Sequence, residues 1–252
     1  MNVVVFGAAG WSGRAVLRNF EGRHTVRAFD AGADAWARWQ DIDGIWTDGD
    51  ILQGDLTDYT TVDRAIDGMD GIVHLAVHGG PYGHDDTDPF LVNLKGLWNV
   101  LESARNRGVS RVVHVGSCQT IHPDGVFFSS DVRRPDGSLY AVTKRLQEEL
   151  CRQFYDAFNL SVIVLRPDYI VDSRLGIGRN RETLGPTGTP TRNGWVCRHD
   201  LAEACHLALI THATTFDIIH IVGTPEAEAT CNVRRSKDIL GLTYRGNLAQ
   251  YA

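Results

Sequence analysis

The sequence lacks the features that mark several large classes of protein. No apolar run approaches the ~20 residues needed to cross a bilayer, and the net charge is -6 without any cluster of lysine and arginine. The first apolar run begins at residue 2, so we expect no signal peptide, and low-complexity tracts and internal repeats are absent. These absences argue against nucleic-acid and membrane partners. We expect a soluble, cytoplasmic protein.

Cysteines are few, and their arrangement argues against two kinds of site. The five cysteines are an odd number, lack C-x-x-C spacing and are scattered among segments predicted to be buried. We therefore expect reduced thiols, with neither a disulfide framework nor a metal site. These residues are Cys118, Cys151, Cys197, Cys205 and Cys231.

What the sequence does contain is enough apolar residues for one large core, since 43% of its 252 residues are hydrophobic. Short apolar runs alternate with helical segments, which predicts an α/β fold of the Rossmann type, a doubly wound parallel sheet with helices on both faces. Strands are expected at residues 3–6, 25–29, 71–75, 111–115, 161–165 and 216–222, with a further strand just before Gly54. Helices are expected at residues 11–21, 59–67, 88–107, 138–158, 199–213 and 233–240.

The amino terminus carries a glycine pattern that predicts a phosphate-binding turn. The apolar run over residues 3–6 leads directly into Gly7, Gly10 and Gly13, and a helical segment follows. Glycines let the backbone turn tightly, and they let a pyrophosphate approach the free N–H groups at the start of a helix. We predict a dinucleotide-binding loop that also includes Trp11 and Ser12. An ordinary strand-to-helix turn is the alternative.

Two stretches break the alternation of strands and helices. Residues 32–49 carry three tryptophans among acidic residues and are long for a connection, so a short helix packed on the surface is expected there. Residues 172–194 are rich in Gly, Pro, Thr and Arg and follow a predicted strand, so they should lie over the edge where ligands bind. We expect them to form a small substrate-covering lobe, and a solvated loop is the alternative. The predicted segments are 1–171 for the dinucleotide-binding domain, 172–198 for the cover, and 199–252 for helices and a strand that complete the fold and the lobe.

Three residues are candidates for proton transfer. Tyr140 and Lys144 are one helical turn apart, so both side chains project to the same side, where the ammonium group would lower the pKa of the phenol. A tyrosine with a lowered pKa suits a general base near neutral pH. Ser117 follows the strand at 111–115 and could hydrogen-bond the oxygen that Tyr140 deprotonates. Taken alone, the Tyr140–Lys144 spacing can arise by chance, and Ser117 can be a turn cap. The order of the three residues after the glycine loop favours a catalytic set.

Asp30, at the end of the second strand, indicates which dinucleotide is bound. A carboxylate there accepts hydrogen bonds from the adenosine ribose and repels a 2′-phosphate, which favours NAD over NADP. Arg14, just past the glycines, is the contrary signal, and a turn residue is the alternative for Asp30. The segments after the third and fourth strands are placed to wall the adenine and its ribose; they supply Asp55, Leu56, Leu75, Ala76 and Val77.

The order of these motifs resembles the extended short-chain dehydrogenase/reductase family, the NAD-dependent epimerase/dehydratase group, across essentially the whole chain. Passages around Asp70 to Leu75, Ser117 to Ile121, Arg134 to Tyr140, and His199-Asp200 are similar to the bacterial uronate dehydrogenases, which oxidise the anomeric carbon of a cyclic hexuronic acid. The resemblance implies NAD as cofactor and Ser117, Tyr140 and Lys144 as the catalytic set. It also implies that the NAD site includes Gly7, Gly10, Gly13, Asp30, Asp55, Leu56, Lys144 and, on the helix behind the site, Asn93.

The chain departs from that pattern where a substrate would be chosen. The uronate enzymes follow the serine with Asn-His, whereas this chain has Cys118 and Gln119. In that family an arginine of the lobe binds the substrate carboxylate; Arg174, Arg179 and Arg181 are the candidates here, each with plain solvent exposure as its alternative. The substrate-contacting set predicted is Val77, His78, Ser117, Cys118, Gln119, Tyr169, Arg174 and Arg179.

The predicted function is NAD-dependent oxidation of a hydroxyl on a small sugar or sugar acid. A sugar-nucleotide epimerase or dehydratase that retains its NAD is one alternative, and a non-catalytic NAD-binding regulatory protein is another. The helices at 88–107 and 138–158 carry more apolar surface than one contact with the sheet requires. This predicts a homodimer or higher homo-oligomer, with core packing as the alternative.

Overall fold

The computed structural model describes residues 1–80, 83, 87–118, 136–192 and 194–252. Within this part of the chain, seven strands form a central sheet in which every neighbouring pair is parallel. These strands are β1 (Asn2–Phe6), β2 (Thr25–Asp30), β3 (Gly49–Gln53), β4 (Gly71–His74), β5 (Arg111–Val115), β6 (Val162–Pro167) and β10 (Phe216–Ile221). Their order across the sheet is β10-β6-β5-β4-β1-β2-β3, which confirms the predicted Rossmann-type α/β fold.

Helices cover both faces of this sheet. The helices are α1 (Trp11–Phe20), α2 (Ala33–Ala37), α3 (Gln40–Asp43), α4 (Tyr59–Ile66), α5 (Asp88–Phe90), α6 (Leu97–Asn106), α7 (Leu139–Phe158), α8 (Arg198–Ile210), α9 (Ala227–Thr230) and α10 (Val233–Leu240). On one face α1 packs against α8, and on the other α4 and α7 both pack against α6. The long helices lie within a few residues of their predicted positions.

The apolar run of β1 shows why this strand lies in the interior of the sheet. Val3 and Val5 belong to the core on the face of α1 and α8, whereas Val4 and Phe6 belong to the core on the opposite face. All four side chains are fully buried. A strand covered on both faces needs apolar residues at every position, so the unbroken run predicted from the sequence is what this location requires.

The strand order reverses next to β1, and this reversal locates the functional edge. β1 pairs with β2 on one side and with β4 on the other, so the crossovers on its two sides lead in opposite directions. In open α/β sheets, ligands bind in the crevice outside the carboxyl ends of the strands at such a point. The topology therefore predicts a ligand site at the loops that follow β1, β2, β4 and β5.

The single helix predicted at residues 88–107 is interrupted. A π-helical turn over Leu91–Gly96 separates α5 from α6. The carbonyl of Asn93 accepts a hydrogen bond from the side chain of Gln147 at 2.8 Å, and the Asn93 amide donates to Thr143 at 3.1 Å. Single π-helical turns inside α-helices are rare and often lie at functional sites. Hydrophobic periodicity alone does not reveal such a turn.

The two irregular stretches both contain ordered structure. Residues 32–49 form α2 and α3 instead of one surface helix, and Trp39 and Trp46 are buried. Residues 170–197 contribute a second, three-stranded sheet of β7 (Ile170–Asp172), β8 (Ile177–Gly178) and β9 (Val196–Cys197), in the order β8-β7-β9. The segment that follows β6 therefore contains a small sheet of its own.

Three further observations concern membrane spans, metal sites and cysteines. No helix in the described ranges is both long and apolar enough to span a membrane. The same residues hold no group of three or more His, Cys, Asp or Glu side chains placed to bind a metal ion. All five cysteines are buried free thiols.

Candidate active site

A cleft of about 760 Å³ opens at the carboxyl ends of β1, β2, β4 and β5. This volume lies in the usual range for small-molecule and cofactor sites. The glycine loop lines one part of the cleft, and Ser117, Tyr140 and Lys144 line another. The structure thus brings the motifs singled out in the sequence to one continuous surface.

The glycine loop is shaped by close backbone packing. Gly7 has φ +82°, and a Cβ there would lie 2.7 Å from the backbone nitrogen of Ala76. A Cβ on Gly13 would lie 2.1 Å from the carbonyl oxygen of Gly7, so α1 can approach β1 only with glycine at this position. Gly10 is the N-cap of α1 and provides no side-chain cap for its first turn. The amino end of α1 is therefore available to an anion.

Asp30 lies at the far end of the cleft from Tyr140. Its carboxylate accepts hydrogen bonds from the backbone N–H groups of Ala9 and Ala31, both at 2.8 Å, which fixes its orientation toward the glycine loop. Arg14 lies elsewhere: it is 4% exposed, donates to the carbonyl of Gly44 at 2.7 Å, and lies over the ring of Trp36. Arg14 is therefore held by other partners, and its position gives no support for NADP over NAD.

The proton-transfer candidates are positioned by β5 and by the first turns of α7. Ser138 caps α7 by accepting from the Ala141 N–H at 3.3 Å, which places Tyr140 in the first turn. Tyr140 and Ser117 are joined by a hydrogen bond between their side chains. Lys144 is 2% exposed, and its Nζ donates to the carbonyl of Val115 at 2.9 Å. The phenol of Tyr140, the hydroxyl of Ser117 and the ammonium group of Lys144 thus meet at the end of β5.

The electrostatics differ from the sequence-based expectation. Burial raises the pKa of Tyr140, while the hydrogen bond from Ser117 and the positive charge of Arg179 oppose that rise. Burial lowers the pKa of Lys144 to about 8, and the nearby Glu148 carboxylate opposes this shift. The pKa of Tyr140 is thus raised, where a lowered value was expected, because in the protein alone desolvation outweighs the favourable charges.

Two buried pairs support this end of the cleft, and sequence reasoning identified neither. Arg166 of β6 forms a bidentate ion pair with Glu148 of α7, in which its Nε lies 2.6 Å from the carboxylate. His74 and His114 lie side by side on β4 and β5 with their Nδ1 atoms 3.1 Å apart. Burial, reinforced by the charge of Lys144, lowers the pKa of both imidazoles, that of His74 to about 3. A neutral pair therefore lies in the sheet near the cationic lysine.

Most predicted site residues line the cleft. Those that do are Gly7, Gly10, Trp11, Ser12, Gly13, Asp30, Asp55, Leu56, Leu75, Ala76, Val77, Ser117, Tyr140, Lys144 and Arg179. Several others are placed differently. Asn93 is fully buried, and its side-chain oxygen accepts from the His78 N–H at 2.7 Å, so both residues stabilise the loop behind the cleft.

Some of the predicted substrate-contacting residues line the cleft, and others do not. Cys118 is buried, its thiol donates to the carbonyl of Arg166, and it packs in a separate cluster with Cys231, so its side chain faces away from the cleft. The hydroxyl of Tyr169 contacts Glu182, and Arg174 is exposed outside the cleft. Cys118, Tyr169, Arg174 and His78 therefore do not line this cleft, and their contact with a substrate stays a prediction. Gln119 lies outside the described residues.

The cleft also contains residues that the sequence analysis missed. They are Arg38, Trp39, Asp168 and Asn180. Asp168 directly follows β6, where the general rule for strand ends could have identified it. Arg38 and Trp39 belong to the irregular segment between β2 and β3, and no periodic signal there points toward the cleft.

These observations define an α/β protein of the short-chain dehydrogenase/reductase type. The glycines leave space for a close backbone approach, the amino end of α1 lacks a side-chain cap, and a carboxylate and a Ser/Tyr/Lys group lie in the same cleft. These features fit a dinucleotide. The model of the NAD dependent epimerase/dehydratase family matches residues 3–174, and the chain belongs to that family.

Individual relatives agree with this assignment. The uronate dehydrogenase of Agrobacterium fabrum is 37% identical over 121 residues, which cover 46% of this chain and 44% of that protein. The matched segment thus spans less than half of that relative. The crystal structure of the uronate dehydrogenase from Agrobacterium tumefaciens superposes with a TM-score of 0.69 at 24% identity, covering 88% of this chain and 77% of the other. The UDP-glucuronic acid 4-epimerase from Bacillus cereus in complex with NAD gives a TM-score of 0.79 at 19% identity, covering 100% and 96%. These structural matches establish the fold.

Proposed function

We propose that the protein is an NAD-dependent dehydrogenase that oxidises a hydroxyl of a small sugar or sugar acid, of the kind the uronate dehydrogenases use. The observation that carries the proposal is the meeting of Ser117, Tyr140 and Lys144 in the same cleft as the glycine loop. The relative of Agrobacterium fabrum supports the choice of a uronate. The fold alone would leave the reaction open, because one fold supports many functions.

The cofactor would lie along the glycine loop with its adenosine end at Asp30. Gly10 to Gly13 would receive the pyrophosphate at the amino end of α1, and Asp55 and Leu56 would wall the adenine. Asp30 would accept hydrogen bonds from the ribose, which favours NAD over NADP. When bound, the nicotinamide accepts the hydride that leaves the substrate carbon. We propose residues 1–171 as the cofactor domain, 172–198 as the cover and 199–252 as the completing segment.

The chain's own residues move and hold the proton. Tyr140 in its phenolate form accepts the proton of the substrate hydroxyl, and Ser117 holds the same oxygen by a hydrogen bond. Lys144 stabilises the phenolate as a cation, while the carbonyl of Val115 fixes its position. The substrate loses one proton and one hydride, which leaves a carbonyl. We propose Arg179 as the partner of a substrate carboxylate, since it lines the cleft and its charge acts on Tyr140.

Replacement of the base tests the proposal. We expect Tyr140→Phe to lower kcat for a hexuronate by about 10²- to 10⁴-fold, because general base catalysis contributes that much, while NADH binding is retained. NAD reduction in the presence of hexuronates and neutral aldoses measures activity, and fluorescence titration measures binding. Full activity in Tyr140→Phe would refute the mechanism. Absence of turnover with every sugar and sugar acid would refute the substrate class.

A second candidate is a sugar-nucleotide epimerase that retains its NAD. The close superposition on a UDP-glucuronic acid 4-epimerase favours it. An epimerase would keep its NAD through purification and would interconvert sugar nucleotides. A dehydrogenase would exchange its cofactor freely.

We propose further that the chain forms a homodimer and works in the cytoplasm. An apolar groove between the π-helical turn, α6 and α7 contains Leu94, Trp98, Leu146 and Leu150. Pairing of this groove with that of a second copy would build a symmetric interface, which sedimentation at micromolar concentration tests. The five free thiols suit a reducing compartment.

A further inference from the structure

Two segments far apart in the sequence meet beside the glycine loop. Residues 33–43, here called the tryptophan flap, comprise α2 and α3 and supply Arg38 and Trp39 to the wall of the cleft. Residues 178–183, here called the arginine loop, supply Arg179 and Asn180. The first segment follows β2 on the nucleotide side, and the second belongs to the lobe.

The two segments are tied together by one residue of the arginine loop. Arg181 forms a bidentate ion pair with Asp41, with N–O distances of 2.7 Å and 2.9 Å, and donates to the carbonyl of Arg38 at 2.9 Å. Bidentate pairs of this kind fix geometry as well as contributing energy. Arg181 adopts φ +65°, a conformation that a non-glycine residue holds only when its surroundings favour it.

Trp39 is the centre of these contacts. The guanidinium groups of Arg181 and Arg38 lie over its ring at 5.0 Å and 5.3 Å from the ring centroid. Its ring also packs against that of Trp11 in the glycine loop, with centroids 4.7 Å apart. Trp39 therefore links the arginine loop to the residue that begins α1, and it forms part of the cleft wall between them.

The inner end of the flap is held quite differently. Arg198 is 2% exposed and forms ion pairs with Asp43, at the end of α3, and with Asp172 of β7. The same guanidinium group lies 4.1 Å from the ring centroid of Trp11. The side chains of Arg181 and Asp41, by contrast, are 48% and 60% exposed. The flap is thus anchored in the interior at one end and held by a solvent-exposed pair at the other.

We propose that Trp39 is a positioning residue for the cofactor, and that the Arg181–Asp41 pair is a latch that slows cofactor release while it is closed. This inference rests on the proposed function, since it requires a dinucleotide along the glycine loop. A dehydrogenase exchanges its cofactor in every turnover, so the cover must open. An exposed ion pair contributes little stability and breaks readily, whereas a buried one would hold the cleft shut.

The test measures the rate of NADH dissociation. We expect Asp41→Asn and Arg181→Gln each to raise this rate by about 3- to 10-fold, in line with a well-oriented exposed pair that also contacts an aromatic ring. The double variant should be no faster than the faster single variant, because both changes remove the same latch. Trp39→Phe, which keeps an aromatic ring, should release NADH more slowly than Trp39→Ala. Stopped-flow displacement of NADH, detected by energy transfer from tryptophan, gives each rate.

The matched control is the exposed pair of Arg23 and Glu203, whose side chains are 39% and 31% exposed and do not line the cleft. Arg23→Gln should release NADH at the wild-type rate. Unchanged release in Asp41→Asn, additive effects in the double variant, or equal acceleration in Arg23→Gln would overturn the latch. Absence of saturable NADH binding to the wild-type protein would overturn the proposed function with it, whereas normal binding with unchanged release would overturn the latch alone.

Discussion

The two walls of the cleft are held in opposite ways. On the wall that holds the proposed proton-transfer residues Ser117, Tyr140 and Lys144, here called the catalytic wall, Lys144 is buried. The Glu148–Arg166 ion pair near it has side chains 9% and 1% exposed. On the cover, the corresponding tie between Arg181 and Asp41 is 48% and 60% exposed. Proton transfer needs fixed atoms, and cofactor exchange needs contacts that can open. The difference in burial therefore fits the proposed roles of the two walls, proton transfer on one and cofactor exchange on the other.

Removal of the buried carboxylate is the strongest test of this contrast. Glu148→Gln should lower the free energy of unfolding by about 3–5 kcal/mol, because the charge of Arg166 is left buried without its counter-ion. Asp41→Asn should lower it far less, because an exposed ion pair contributes little to stability. Urea denaturation of both variants measures the two losses. Equal losses would remove the distinction between the walls.

We expect low pH to destabilise the fold by protonating the neutral histidine pair near Lys144. In the unfolded chain His74 binds a proton near its ordinary pKa of about 6.5, whereas burial in the fold lowers its pKa to about 3. Between these values the unfolded state binds more protons, so stability falls as the pH falls, by up to about 1.4 kcal/mol per pH unit for this group.

Denaturation curves collected between pH 6.5 and pH 4 test that slope. His74→Gln should show a shallower loss of stability than the wild type. His212→Gln, at an exposed position, is the control and should keep the wild-type slope. A slope in His74→Gln as steep as that of the wild type would show that other groups dominate acid unfolding.

A smaller effect links the cover to the catalytic wall. The positive charge of Arg179 opposes the rise in the pKa of Tyr140, so Arg179→Gln should move the rise of kcat/KM to higher pH by a fraction of a pH unit. If Arg179 binds the substrate carboxylate, KM for a uronate should also increase while KM for a neutral aldose changes little. Arg174→Gln, in the same lobe but outside the cleft, is the matched control. Identical pH profiles for the two variants would show that the charge of Arg179 does not act on Tyr140.

The periodic parts of the molecule could be predicted from the sequence because their patterns reflect burial. β1 is apolar at every position since both of its faces are covered, and α1 begins directly after glycines that its packing requires. The meeting of Ser117, Tyr140 and Lys144 could also be predicted, because the ends of strands and the first turns of helices project to one edge of the sheet.

The remainder depends on tertiary contacts that no spacing encodes. The orientation of Cys118 away from the cleft is set by the cluster around Cys231, which lies more than a hundred positions later in the chain. Arg38 and Trp39 reach the cleft because an irregular connection folds back on Trp11. The choice between Arg174 and Arg179 likewise rests on the short strands of the lobe, which give no alternating pattern.

The π-helical turn over Leu91–Gly96 makes the region behind the active site sensitive to chain length. Such a turn accommodates one residue more than a regular helix would, and each residue of an α-helix advances the side chains by about 100°. Deletion of a single residue there would restore a regular helix and rotate Asn93 away from His78 and Thr143. Natural or engineered changes in this helix are therefore constrained in length as well as in composition.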